Sequence, residues 1–198
     1  MKCATVLGLI VACLVLVPTG MAANLLVNGD FESAGAWNFI NGTEYSMDYN
    51  HTPDGTQSIK ESNPSTAWAI QTITSGFSIG QSYTASVYGY IAGDALPNAW
   101  NVGVLNIVFR DSANNEFSYQ DSTFLTTSSP AGQWILGTVT GTIPTGTASI
   151  LFRLYENSPT TTTVYFDDAS MVVPEPASLV MLGTALVGLL AGARRKRT

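Results

Sequence analysis

Three segments in the middle of this 198-residue chain place an apolar side chain at every second position. They are residues 83–91, 103–110 and 149–155, with the apolar positions Tyr83, Ala85, Val87, Gly89 and Ile91, then Leu105, Ile107 and Phe109, then Ile150, Phe152 and Leu154. A period of two is that of a β-strand with one buried face, because successive side chains point to opposite sides. Between Asn24 and Val172 no apolar pattern with the period of a helix extends over about eleven residues. This part of the chain is therefore predicted to be all-β.

Short turn clusters separate the predicted strands, among them Asp54-Gly55, Gly93-Asp94 and Pro144-Thr145-Gly146. Many short strands with regular turns are typical of an antiparallel β-sandwich. The stretch 24–172 has about 150 residues, which is enough for one hydrophobic core but short for two domains that each have a core of their own. We predict one antiparallel β-sandwich domain over these residues.

The N-terminus has the three parts of a secretory signal peptide. Met1-Lys2 is a basic start, residues 3–17 are apolar, and Met21-Ala22-Ala23 offers small residues to a signal peptidase. Residues 1–23 are predicted to be removed on export. An alternative is lipidation at Cys13, since residues 10–13 fit a lipoprotein cleavage site, although the apolar residues 14–17 follow this cysteine instead of preceding it.

The C-terminus combines a proline motif, one apolar run and a basic tail. In order, these are Pro174, Glu175 and Pro176, the apolar residues 177–193, and the tail 194–198 with Arg194, Arg195, Lys196 and Arg197. The run of 17 residues would form a helix of roughly 25 Å, at the short end of what crosses a bilayer. The cations would keep the tail in the cytoplasm. An ordinary single-span anchor explains the span and the charges, but not the proline motif directly before the span.

This arrangement resembles the PEP-CTERM sorting signal of Gram-negative bacteria, and the resemblance covers Val173 to Thr198. Proteins with this signal are processed by exosortases and are tied to exopolysaccharide production. The resemblance implies an exported protein of the cell surface or extracellular matrix. It also implies that the span anchors the protein in the membrane only until an exosortase-type enzyme cuts near residues 174–176.

The positions of the cysteines indicate how the exported domain is stabilised, and its net charge limits the partners that it can bind. Both cysteines, Cys3 and Cys13, lie in the signal peptide, so the exported domain has no disulfide and must be held by its core or by a metal. Five of the eight basic residues lie in the terminal signals, which leaves three; 13 of the 14 acidic residues remain, so the exported domain carries a net charge of −10. We expect no nucleic-acid partner, because phosphate binding needs clustered cations. A neutral polysaccharide, or one bridged by divalent cations, is compatible with this charge.

Several motifs, in order, resemble those of the cellulose- and xylan-type carbohydrate-binding modules of the galactose-binding jelly-roll superfamily. They are the opening 24–32 followed by Trp37, the segments 55–60, 68–73, 80–84 and 132–134, and the closing 164–168. The resemblance spans about 150 residues. It implies a jelly roll in which the first strand and the last lie side by side.

In that family a structural calcium ion often lies where the first and last strands meet. The resemblance implies Glu32 and Asp167 as side-chain ligands, with main-chain oxygens near Asp30 and Lys60, and Asp168 as the substitute for Asp167. Hard carboxylate and carbonyl oxygens are the ligands that calcium requires. The alternative is that Glu32 caps a turn and Asp167 is solvated.

The strand faces opposite the strongest apolar residues carry the candidate glycan contacts, which are Tyr88, Tyr90, Asn106, Arg110, Arg153 and Tyr155. If the three strands are neighbours, these side chains form one aromatic and polar face, like the concave face that the resembling modules use for glycan chains. Trp100, in the loop 93–101, is a further candidate for stacking on a sugar ring, or else a hydrophobic residue that pins this loop to the domain. The alternative is a solvated face on which Arg110 or Arg153 pairs with a local acid.

The other tryptophans, Trp37, Trp68 and Trp134, match positions that the resembling family uses for packing, and are predicted to lie in the core. A catalytic site is not expected. His51 is the single histidine, and Asp167 and Asp168 would point to opposite faces of a strand.

Two roles follow from these features. The first is a carbohydrate-binding module that associates with exopolysaccharide. The second is a structural surface or biofilm protein with no specific glycan ligand. Solvent-exposed Tyr88, Tyr90, Tyr155 and Trp100 would favour the first role, and burial or screening of these rings by loops would favour the second.

Overall fold

The computed structural model describes residues 23–62, 67–93, 101–157 and 163–174. Over these residues the chain forms ten β-strands. They are β1 (Asn38–Ile40), β2 (Thr43–Ser46), β3 (Ser58–Glu61), β4 (Trp68–Ile73), β5 (Ser82–Ile91), β6 (Asn101–Arg110), β7 (Glu116–Leu125), β8 (Trp134–Thr142), β9 (Ser149–Asn157) and β10 (Val164–Val172). In the described part of the chain, no helix is long and apolar enough to cross a membrane. The predicted span 177–193 lies outside the described residues.

The strands form two sheets of five, which we call the first and the second sheet. The first sheet has the order β1-β4-β9-β6-β7 and the second the order β2-β3-β10-β5-β8. Every pairing in both sheets is antiparallel. Ala23–Val173 form one compact unit. The prediction of an antiparallel β-sandwich is confirmed.

The core lies between the sheets and contains the alternating apolar residues of β5, β6 and β9. All those predicted to share the inner faces are buried, and Phe31 and Trp37 from the N-terminal segment join them. Trp37 is fixed by its indole N–H, which donates to the carbonyl oxygen of Asn28 at 2.9 Å. The prediction that Trp37 belongs to the core is confirmed.

The N-terminal segment lies beside the last strand, as the resemblance implied. Asn24 forms a β-bridge with Val172, and the Leu25 amide donates to the carbonyl oxygen of Met171 at 2.8 Å. The Ala169 amide donates to the carbonyl oxygen of Gly29 at 2.7 Å, and a Cβ at position 29 would lie only 2.1 Å from the Ala169 oxygen. The close approach of these two backbones therefore requires glycine at position 29.

Strand β10 is irregular at the two adjacent aspartates. The register with β5 shifts between Asp167 and Ser170, and Asp168 adopts a positive φ of 50°. Both carboxylates consequently reach Thr52: its hydroxyl lies 3.1 Å from Asp167 Oδ1 and 2.6 Å from Asp168 Oδ1. The expectation that the two aspartates point to opposite faces was wrong, because it assumed a regular strand where the chain has a bulge.

Candidate functional site

Four of the predicted glycan contacts lie together on the outer face of the first sheet. Asn106 is opposite Arg153 in the pairing of β6 with β9, and Tyr155 lies one pleat further along, opposite Val104. Arg110 lies at the end of β6, opposite Ser149. Directly opposite residues of an antiparallel pair share one face of the sheet. The neighbouring strands β6 and β9 thus bring these side chains together as predicted.

Trp68 completes this face, although it was predicted to lie in the core. It is opposite Tyr155 in the pairing of β4 with β9, and the two rings stack with centroids 5.1 Å apart and planes 20° apart. The Arg153 guanidinium lies 5.3 Å from the centre of the Trp68 ring. The prediction failed because β4 turns Ala69, Gln71 and Ile73 inward, which places Trp68 on the outer face.

Both arginines of the face pair with one carboxylate. Arg110 Nη2 donates to Glu116 Oε1 at 2.9 Å, and Arg153 donates to both Glu116 oxygens, at 3.2 Å in the case of Oε2. The hydrogen bond from Arg153, with that from Arg110, lowers the pKa of Glu116 against the opposing effect of its partial burial. The alternative that an arginine pairs with a local acid therefore holds for both. Two guanidinium groups share one carboxylate, so this trio is net positive within an acidic domain.

The middle of the face is apolar and its margin is aromatic. Val104, Val108 and Leu151 point outward yet are buried, and Asn106 beside them is buried as well. Tyr119, opposite Val108 on the edge strand β7, is 67% exposed. Burial, together with the negative charge of Asp121, raises the pKa of Tyr155. An apolar floor with aromatic rings and a few polar groups is the usual composition of a ligand site.

Tyr88 and Tyr90 are not part of this face. Both lie on β5, which pairs with β8 and β10 in the second sheet, and their side chains point to the outer face of that sheet. The prediction of a single glycan face from β5, β6 and β9 was therefore wrong. Alternation along a strand decides which side chains point inward, but sheet membership depends on crossover connections that alternation does not encode.

On the second sheet, Tyr88 and Tyr90 are partly covered by the segment that follows β2. The His51 ring stacks on Tyr88 with centroids 3.7 Å apart, and Tyr49 packs on Tyr90 at 4.4 Å. Trp134 lies beside Tyr90 at 5.2 Å. Trp134 was predicted to be in the core, but it begins β8 opposite Tyr90 and points outward with it.

Trp100, the remaining predicted glycan contact, lies outside the described residues.

The predicted calcium ligand Glu32 is surrounded by hydrogen-bond donors. Its carboxylate accepts the amides of Thr56 and Gln57 at 2.8 to 3.1 Å, the Thr56 hydroxyl at 3.0 Å and the Asn50 side-chain amide at 3.0 Å. These bonds lower the pKa of Glu32 although desolvation opposes them. Glu32 thus fixes the turn at 55–57, which fits the alternative that it caps a turn.

Asp167, the second predicted side-chain ligand, is fully buried and also bonded to N–H groups. Its Oδ2 accepts the amides of His51 and Thr52 at 2.7 and 3.1 Å, and its Oδ1 accepts the Asp168 amide at 2.7 Å. Burial raises the pKa of Asp167 against these bonds. The alternative of a solvated Asp167 is contradicted by its burial.

The other predicted ligands do not complete a cage in this arrangement. Lys60 is opposite Tyr165, two residues from Asp167 along β10, or about 7 Å. Asp30 is exposed, and lines a depression of about 410 Å³ together with Asp168. Among the described residues, no three His, Cys, Asp or Glu side chains form a group that could hold a metal ion. Calcium at this junction stays a prediction.

Sequence reasoning missed two features. His51 and Thr52 tie the segment after β2 to β10, and the only signal was a polar, turn-rich stretch around them. Glu61 and Glu156 are buried carboxylates. The sequence pattern could have predicted their burial. Each glutamate lies two residues after a buried apolar residue of its strand, Glu61 after Ile59 and Glu156 after Leu154, and so points inward.

Comparison of the sequence with known families identifies the domain. The sequence model described as "Carbohydrate binding domain" matches residues 23–162, which is well over half of the chain. The chain belongs to this family. No curated protein sequence matches the chain.

A second family match covers the C-terminus of this carbohydrate-binding domain protein. The PEP-CTERM protein-sorting motif matches residues 172–196, so the predicted sorting signal is confirmed. Together the two matches support an exported, exosortase-sorted surface protein. Of the motif, Pro174 is exposed. The other residues predicted for the sorting signal lie outside the described part of the chain, and they are Glu175, Pro176, Arg194, Arg195, Lys196 and Arg197.

Solved structures share the fold of the carbohydrate-binding domain. The CBM22-1 xylan-binding domain of Paenibacillus barcinonensis Xyn10C has 13% identity and a TM-score of 0.56, and the match covers 79% of this chain and 97% of that one. The enzymatically active domain of bacteriophage CBA120 tailspike protein 4 has 15% identity and a TM-score of 0.57, over 76% of this chain. The arabinose-bound MgGH51 α-L-arabinofuranosidase has 17% identity and a TM-score of 0.53, over 79%. The match covers only 21% and 27% of the last two proteins, and these identities show the fold alone.

Proposed function

We propose that the outer face of the first sheet binds a polysaccharide chain. The observation that carries this proposal is the Trp68–Tyr155 stack with Arg153 beside it, on a face whose floor is apolar. Aromatic rings offer a flat apolar surface to the C–H face of a pyranose, and nearby hydrogen-bonding groups orient its hydroxyls. Asn106 and Arg153 supply such groups, and Glu116 holds Arg153 in position.

The sorting motif supplies the biological setting of the proposal. An exosortase-type enzyme would release the protein from its C-terminal membrane span at the cell surface, where exopolysaccharide is assembled. The domain would then associate with that polysaccharide in the matrix. The charge of −10 in the exported part favours a neutral chain, because an anionic one is repelled over most of the surface.

The test is electrophoresis of the protein, in mild detergent, through gels that contain xylan, β-glucan, mannan or galactan. We expect slower migration in at least one polymer. Trp68→Ala and Tyr155→Ala should each weaken this binding by about tenfold, or 1.4 kcal/mol. Ile79→Ala, which removes an exposed side chain in the turn between β4 and β5, is the control. Equal retardation of wild type and both variants would refute the assignment of the face.

One observation favours the second role, a structural surface protein with no specific glycan ligand. Tyr88 and Tyr90 are screened by His51 and Tyr49, which is the arrangement expected for that role. The proposal above rests instead on Trp68 and Tyr155. A folded protein that is retarded by none of the four polymers would favour the structural role.

A further inference from the structure

The outer face of the second sheet has a cleft of its own. It has a volume of about 570 Å³, and its main polar and aromatic lining residues are Asp48, Tyr49, Lys60, Thr163 and Tyr165. We call it the Tyr49 cleft. It is separate from the Trp68–Tyr155 face, because the two lie on opposite sheets of the sandwich.

One wall of the cleft is an aromatic ring held in place by other rings. Tyr49 is 37% exposed, and it packs on Tyr90 at 4.4 Å and edge-on against Tyr165 at 4.9 Å. Trp134 supports Tyr90 from the far side at 5.2 Å. A ring fixed in this way loses little conformational entropy when a ligand stacks on it. Tyr49 is therefore preorganised as a stacking surface.

Beside the ring lie a hydrogen-bond donor and an acceptor in contact. Lys60 Nζ is 3.1 Å from Asp48 Oδ2, and the Tyr165 hydroxyl donates to the same oxygen at 3.0 Å. The hydrogen bonds from Lys60 and Tyr165 lower the pKa of Asp48, so the carboxylate is ionised at neutral pH. An ammonium group can donate while a carboxylate accepts, which matches two adjacent hydroxyls of a sugar.

The charges indicate which sugars the cleft accepts. Glu44 lies 4.0 Å from Lys60, so one cation faces two carboxylates and the group is net negative. A uronic acid would be repelled, whereas a neutral pyranose carries only hydroxyls and a C–H face. The cleft volume is within the usual range for small-ligand sites, about 300–1,000 Å³.

We propose that the Tyr49 cleft is a second glycan site, selective for neutral pyranose chains. The inference goes beyond the proposed function, which concerns the first sheet alone. With a site on each sheet, one domain holds two chain segments at once and cross-links them. Multivalent attachment of this kind raises the retention of the protein in a polymer without any new contact at either site.

The test is the number of oligosaccharides bound per protein at saturation, measured by equilibrium dialysis of the full chain in mild detergent. The probes are soluble hexasaccharides of β-linked glucose, xylose, mannose and galactose. We expect two bound per wild-type protein, one for Tyr49→Ala, one for Trp68→Ala and none for the double variant. Asp48→Asn keeps the ring and the side-chain shape, and should weaken binding at the cleft alone. Met47→Ala changes a neighbouring exposed side chain outside the cleft lining and should still bind two.

Three other results would each decide between the two sites, provided circular dichroism shows that the variants are folded. One hexasaccharide per wild-type protein, lost in Trp68→Ala and kept in Tyr49→Ala, refutes the second site and leaves the proposed function intact. One hexasaccharide per wild-type protein that is lost in Tyr49→Ala and kept in Trp68→Ala supports the cleft and refutes the proposed face on the first sheet. No binding of any probe by the folded wild-type protein overturns both.

Discussion

Glu61 at the end of β3 and Glu156 near the end of β9 lie close together in the interior of the sandwich, one from each sheet, and repel each other. Both are buried, and in the described structure none of their four carboxyl oxygens makes a hydrogen bond of normal geometry. Burial raises the pKa of Glu61 well above its usual value and that of Glu156 to about 8. The pair is therefore at least partly protonated at neutral pH.

The first prediction concerns the pH dependence of stability. Because the folded pKa of Glu156 is raised from 4.5 to about 8, the folded state binds more protons than the unfolded state between these values. The contribution is fully present below pH 4.5 and is lost as pH rises through about 8. We expect the free energy of unfolding in urea to fall between these limits, by up to about 1.4 kcal/mol per pH unit for one proton.

Glu156→Gln removes the titrating group while keeping the side-chain shape. Its unfolding free energy should fall less steeply with pH than that of the wild type over the same range. Glu44→Gln, a change at an exposed carboxylate, is the control and should keep the wild-type slope. Parallel curves for wild type and Glu156→Gln would show that Glu156 titrates normally.

The second prediction concerns the contact between the N-terminal segment and β10. Gly29→Ala would place a Cβ 2.1 Å from the Ala169 oxygen, so the two backbones must separate. We expect a loss of about 1–3 kcal/mol in the free energy of unfolding, as for overpacking of a tight site. Thermal unfolding measures it, with Val27→Ala, an exposed position two residues earlier, as the control. A variant as stable as this control would mean that the segment contributes little to the fold.

The third prediction concerns calcium at Glu32 and Asp167. If calcium binds there, a concentration about 100 times the dissociation constant adds about 2.7 kcal/mol to stability. The unfolding midpoint should then fall by roughly 5–10 °C in chelator, and Glu32→Gln should abolish the difference. An equal midpoint with calcium and with chelator would mean that the N–H donors of Asn50, Thr56 and Gln57 alone satisfy Glu32.

The sequence predicted inner and outer faces better than it predicted neighbours. Alternation in β5, β6 and β9 identified the buried residues correctly, because burial acts on each strand separately. It could not show that Tyr88 and Tyr155 belong to different sheets, since this depends on contacts between residues far apart in the chain. The inner face of β4 was harder to predict. Trp68 and Ile70 are both apolar, yet both point outward, so hydrophobicity alone placed Trp68 on the wrong side of the sheet.

Local irregularity limited the prediction of the calcium candidates. The opening and closing motifs predicted that Glu32 and Asp167 lie near the junction of the first and last strands, but not that both carboxylates bind residues 50–57. The positive φ of Asp168 is a property of the bulge in β10 and has no glycine to signal it. The partners of these carboxylates could therefore be known only from the folded chain.

The position of β10 in its sheet also has a mechanical consequence. The chain leaves the domain from β10, the central strand of the second sheet, which β3 and β5 flank. If the processed chain is attached to another molecule at its C-terminus, a force on the domain would pull along this strand and load its ladder hydrogen bonds together in shear, instead of opening them one at a time. A protein attached in this way would take the pull of flowing liquid on a strand that is hydrogen-bonded on both sides.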